Sequence, residues 1–76
     1  MRSPTIELSF AAQQVDAELQ RYSRGLLCLR AKPDNFHEII TVDGDSVFQT
    51  HGLHAVRAII SAIAALEVLA ARREAR

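Results

Sequence analysis

Residues 36–50 read FHEIITVDGDSVFQT, and this stretch decides the fold. Its first half is β-branched and aromatic, Asp43-Gly44 is a strong two-residue hairpin signal, and Val47, Phe48 and Thr50 resume an extended run. A strand over residues 36–42 therefore turns back on a strand around 47–50. A two-residue turn sets Ile40 against Val47 and Glu38 against Gln49 on one face. On the other face it sets Ile39 against Phe48 and His37 against Thr50. Each face then holds one apolar pair. A sheet with one face in water alternates more cleanly, so the second face is expected to be partly covered.

Working upstream, residues 26–31 form a compact apolar run after Gly25, and Pro33-Asp34-Asn35 follows as a turn, so a further strand is expected there. Before it, Leu8, Ala11, Ala12, Val15, Leu19 and Tyr22 recur at the spacing of an amphipathic helix. One reading runs that helix over residues 6–24, with Ser3 and Pro4 at its start and Gly25 as its stop. A competing reading makes Ile6, Leu8 and Phe10 a short strand, with Ser9 capping a shorter helix. Downstream, Gly52 ends the third strand and a long alanine-rich helix covers residues 53–73. The expected class is α+β. The order is α-β-β-β-α, with an antiparallel three-stranded meander and two helices packed on one face, in a single domain spanning residues 1–76.

A chain of 76 residues is short. A domain of this size buries only about 60% of its unfolded surface, and small domains compensate with disulfides, metals or oligomerisation. Cys28 is the only cysteine, which rules out an intrachain disulfide and leaves oligomerisation as the leading expectation. A lone cysteine fits a reducing, cytoplasmic setting. Met1-Arg2 is followed by proline and polar residues, so no secretory signal is expected. The longest apolar stretch, residues 58–71, contains Ser61 and Glu67 and reads as too short for a membrane span. Net charge is zero, which argues against nucleic-acid binding by bulk electrostatics.

The last helix is apolar nearly all round. Val56, Ile59, Ile60, Ile63, Leu66 and Ala70 make one stripe, and Ala55, Ala58, Ala62, Ala65 and Leu69 make another beside it. A helix of that kind is expected to be buried nearly all round. A central helix in a tight monomeric core and a homodimer through this helix or the sheet's second face both account for the pattern, and the size of the chain favours the homodimer. Its candidate interface residues are Ala55, Ile59, Ala62, Ile63, Leu66 and Leu69.

Residues that could carry chemistry are few. His37, His51, His54 and Cys28 do not follow a compact zinc spacing. Cys28 sits among leucines in a strand, where a free cysteine is usually a small hydrophobe. Asp43 and Asp45 are explained by turn chemistry. No glycine-rich phosphate loop occurs. The expectation is a non-enzymatic protein without metal or cofactor. Candidate nucleic-acid contacts are His54, Arg57, Arg72, Arg73 and Arg76, although cations at the end of a helix also complement its dipole.

The segments FHEIITVDGDSVFQTHG and GLHAVRAIISAIAALEVL, with the α-β-β-β-α order, resemble the second half of the double-stranded RNA-binding domain. The resemblance implies that fold. It places Ser61, Ala62, Ala65, Leu66 and Leu69 on core positions and Ile59, Ile60, Ile63 and Ala64 on positions facing water. The family grips phosphates with lysines at the start of this helix, whereas the matching residues here are His54, Ala55 and Ala58. Arg57 falls where the family carries a small core residue. Exchanging lysines for isoleucines implies a partner changed from phosphate to protein.

The expected function is therefore that of a small homodimeric binding protein acting on a protein target as a regulator, adaptor or inhibitor. A phage or plasmid accessory protein fits the size and composition. The polar face of the first helix (Gln13, Gln14, Asp16, Glu18 and Arg21) and the open sheet face are candidate target surfaces. RNA or DNA binding through arginines is the alternative. No membrane partner is expected.

Overall fold

The computed structural model describes residues 6–74. Its elements are α1 (Phe10–Tyr22), β1 (Leu27–Lys32), β2 (Phe36–Thr41), β3 (Ser46–His51) and α2 (His54–Glu74). The three strands form one antiparallel sheet in the order β1-β2-β3, giving the α-β-β-β-α arrangement of an α+β protein.

Helix α1 is shorter than residues 6–24. Ser9 caps it, and its hydroxyl accepts the Ala12 N–H at 3.1 Å, satisfying one of the free donors of the first turn. Residues 6–9 precede the helix without forming a strand, and Ser3 and Pro4 lie outside the described residues. At the other end Arg24 takes the left-handed conformation at φ 58°, followed by Gly25 at φ 79°. The Gly25 N–H reaches the Gln20 carbonyl at 2.7 Å and the Arg24 N–H reaches the Arg21 carbonyl at 3.3 Å. This is the Schellman arrangement, with an arginine rather than the glycine in its first left-handed position.

The β2–β3 turn also differs from the two-residue expectation. The Thr41 N–H donates to the Asp45 carbonyl and the Gly44 N–H donates to the Thr41 carbonyl, both at 2.9 Å. The loop is thus three residues long, Val42 to Gly44, with Gly44 at φ 89° supplying the left-handed residue such a loop requires. Farther from the turn the expected register holds: His37 faces Thr50, Glu38 faces Gln49 and Ile39 faces Phe48. Ile40 faces Ser46, with a bulge that leaves Val47 unpaired, so the expected Ile40–Val47 pair does not form.

Ala12, Val15 and Leu19 of α1, Leu29 of β1, Ile39 of β2, and Val56 and Ile60 of α2 make the core. Both helices lie on the sheet face that carries Leu29 and Ile39. The core is small, and α2 outruns it. Val56 and Ile60 are the only buried residues of α2, and from Val68 to Glu74 every residue is exposed. The molecule accordingly measures 56 × 24 × 18 Å.

Candidate interaction surfaces

The first surface is the outer face of α2. Leu53, Val56, Ile59, Ile60 and Ile63 face or border the core. Ala55, Ala58, Ala62, Ala65 and Leu69 recur at alternating spacings of three and four, which places them together on the opposite side of the helix. Along that side Ala58, Ala62, Ala65, Leu66 and Leu69 are exposed, Leu66 at 65% and Leu69 at 52%. The expectation that an all-round apolar helix is buried all round therefore fails, because one 76-residue chain has too little protein to cover both sides. Among the candidate interface residues, Ile59 and Ile63 are half-buried against the core and Ala55 is half-buried, while Ala62, Leu66 and Leu69 are free.

These positions reverse those implied by the family resemblance. Ile60, expected to face water, is buried, and Ile59 and Ile63 border the core. Ser61, Ala62, Ala65, Leu66 and Leu69, expected in the core, are exposed. The larger side chains of the inner stripe join the core, where α2 packs chiefly on α1 and alanines would leave voids.

By length and composition α2 is apolar enough to cross a membrane. At 21 residues and about 1.5 Å per residue the helix spans about 31 Å, so the apolar run counted over residues 58–71 understates it. Val56 and Ile60, however, are committed to the core. Inserting the whole helix into lipid would strip them from it.

The second surface is the sheet face turned away from the helices. Alternation along the strands puts Arg30, Glu38 and Gln49 there in one cross-strand row. Glu38 is only 2% exposed, although no helix covers it. Its neighbours cover it. Arg30 donates from Nε and Nη2 to Oε1 at 2.8 and 2.6 Å, and the Gln49 amide donates to Oε2 at 2.5 Å. The hydrogen bond from Arg30 is the largest influence on the Glu38 carboxyl. Together with hydrogen bonds from Ser46 and Gln49 and the charge of Arg30, it lowers the pKa from 4.5 to about 2, against the opposing effect of burial. Among the described residues no element covers this face; Glu38 alone is buried on it, by a polar network within the sheet rather than by the covering that the apolar pairing suggested. The Arg30–Glu38 pair was legible once β1 was paired with β2 through the Pro33-Asp34-Asn35 turn, a step the hairpin alone does not require.

Beside this row Phe36, 44% exposed, meets His51 edge-to-face with ring centroids 5.1 Å apart. His37 lies on the opposite, helix-bearing face, buried, and its Nδ1 has no partner among the described residues. His37 and His51 therefore do not converge. Among the described residues no three histidine, cysteine or carboxylate side chains group as a metal site. Cys28 is half-buried on the open face.

The candidate nucleic-acid contacts do not come together in one chain. His54 and Arg57 stand at the start of α2, while Arg72 and Arg73 stand about 22–28 Å farther along the helix axis. Arg76 lies outside the described residues. Arg72 and Arg73 instead border a shallow groove with Leu66, Leu69 and Ala70.

No protein family matches this chain, and neither does any curated protein or solved structure.

Proposed function

We propose that this chain is a small, non-enzymatic, cytoplasmic binding protein. It associates with a second copy through the outer face of α2 and acts on a protein target as a regulator, adaptor or inhibitor. One observation carries the reading. The outer face of α2 presents Ala55, Ala58, Ala62, Ala65 and Leu69 in a heptad-like row, with Leu66 beside them, and among the described residues nothing covers the row beyond Ala55. Small residues at three-and-four spacing let a second helix approach closely along its length. Lone exposed apolar side chains need no explanation, but a continuous row marks an interface. The polar face of α1 and the open sheet face remain available for the target.

Light scattering across a dilution series tests this, with the wild type beside Leu69→Glu. Leu69 is free of the core, so its replacement tests association without removing a packing residue. A wild-type dimer that Leu69→Glu converts to a folded monomer supports the reading. A wild-type monomer at every concentration overturns it. Partition of the wild type into lipid vesicles with loss of the α1–α2 core would assign the apolar helix to membrane instead.

A further inference from the structure

The two edges of the sheet are finished differently. On β1 the outward-facing N–H of Leu27 donates to the Ser23 hydroxyl at 3.0 Å, and that of Leu29 donates to the Asp16 carboxylate at 2.8 Å. Helix α1, through Asp16, and its C-cap residue Ser23 thus occupy that edge with their side chains. On β3, the Gly52 N–H points inward to the Asn35 carbonyl at 2.7 Å. Strand alternation then turns the backbone of Phe48 and Thr50 toward β2 and that of Gln49 and His51 outward. Among the described residues nothing accepts the N–H of Gln49 or His51.

Exposed edges are ordinarily blunted by charge, proline, a bulge or a covering element. β3 reads SVFQTH and carries no proline, lysine, arginine or carboxylate. Its one bulge lies near the turn and leaves Phe48 to His51 regular. Val47 and Phe48 are exposed beside it.

The strand is also self-complementary. Asp43 and Asp45 stand at its beginning, His51 and His54 at its end, and all four are exposed. Antiparallel pairing with the same strand of a second copy sets carboxylates beside imidazoles at both ends. Parallel pairing sets like beside like. The antiparallel arrangement is an isologous contact, the common form in homodimers.

We propose that the free edge of β3 pairs antiparallel with β3 of a second copy, joining two three-stranded sheets into one of six strands. The proposal rests on the homodimer reading and adds a second surface to it. Amide hydrogen exchange on the full chain, run beside light scattering on wild type, Val47→Lys and Leu69→Glu, tests it. In the wild-type dimer the Gln49 and His51 amides slow by at least about tenfold relative to the dilute protein, because pairing must open before they exchange. Val47→Lys keeps the circular dichroism of the wild type and weakens association by about tenfold or more, since an edge lysine opposes pairing. If Val47→Lys unfolds, His51→Pro replaces it, removing the outward N–H together with the ring that meets Phe36, with His51→Ala as the control for the ring alone. A dimer whose Gln49 and His51 amides exchange as fast as in the monomer overturns strand pairing and leaves the homodimer standing. So does an edge variant that dimerises with unchanged affinity. A monomer at all concentrations overturns both.

Discussion

The β1 side and the β3 side of this molecule have been built to different standards of closure. On the β1 side α1 supplies Ala12, Val15 and Leu19 to the core, and Asp16 and Ser23 to the strand edge. Apolar burial and satisfaction of the Leu27 and Leu29 amides are solved there by the same helix and its C-cap residue. On the β3 side Val47 and Phe48 are exposed, and the backbone of Gln49 and His51 faces outward without a described partner. The difference teaches where a chain of this size spends its limited covering material. With one small core, covering most of one edge leaves the other without a covering element among the described residues.

The largest effect should come from breaking the closed side. Leu19→Ala removes a fully buried side chain and should cost about 2–5 kcal/mol in chemical denaturation. Phe48→Ala, on the open side, should cost much less. Equal losses would sink the contrast between the sides.

Next comes the row that ties the two sides together through β2. Glu38→Ala leaves Arg30 without its carboxylate and should destabilise the fold by about 1–3 kcal/mol. The exposed side of Arg30 keeps the figure below that of a fully buried pair. The acid sensitivity has a definite sign. The folded-state pKa of about 2 lies below the ordinary 4.5, so this stabilisation is complete above pH 4.5 and is lost as pH falls toward 2. Glu38→Gln should flatten the stability profile in that window. An unchanged acid limb would show that Glu38 does not set it.

Uncapping the closed edge is a smaller change with a more pointed readout. Asp16→Ala removes the acceptor of the Leu29 N–H and should cost about 1–2 kcal/mol. It should also speed exchange of the Leu29 amide. Asp16→Asn retains an oxygen at that place and should recover most of the loss. If Asp16→Ala leaves Leu29 exchange unchanged, the carboxylate is not what closes the edge.

The smallest effect on stability should come from Val47→Lys, within about 0.5 kcal/mol, because the residue is exposed and unpaired at the bulge. A larger loss would show that the β3 edge is part of the folded unit rather than a surface of it.

Much of the architecture was written locally. The order of elements followed from periodicity and punctuation, and Asp43-Gly44, Pro33-Asp34-Asn35, Gly25 and Gly52 all mark turns or ends. Local chemistry also contained the right start for α1, in the reading that made Ser9 its cap. What local pattern could not decide was which of two apolar stripes on α2 turns to the core. Both satisfy helical spacing, so the choice fell to volume: the isoleucine stripe joins the core, where α2 packs chiefly on α1, and the alanine stripe is left outside. The hairpin loop took three residues instead of two because the left-handed Gly44 and the Thr41–Asp45 bonds are satisfied together only that way, with the bulge at Val47 restoring the register beyond. Composition and periodicity by themselves determined the class, the element order and the excess of apolar surface. Tertiary packing alone decided that Glu38 is sheltered by its own neighbours, that Asp16 and Ser23 take up the Leu29 and Leu27 amides at the β1 edge, and that the β3 edge meets no partner among the described residues. Burial and hydrogen bonding depend on which residues meet across the chain, and no local spacing records that.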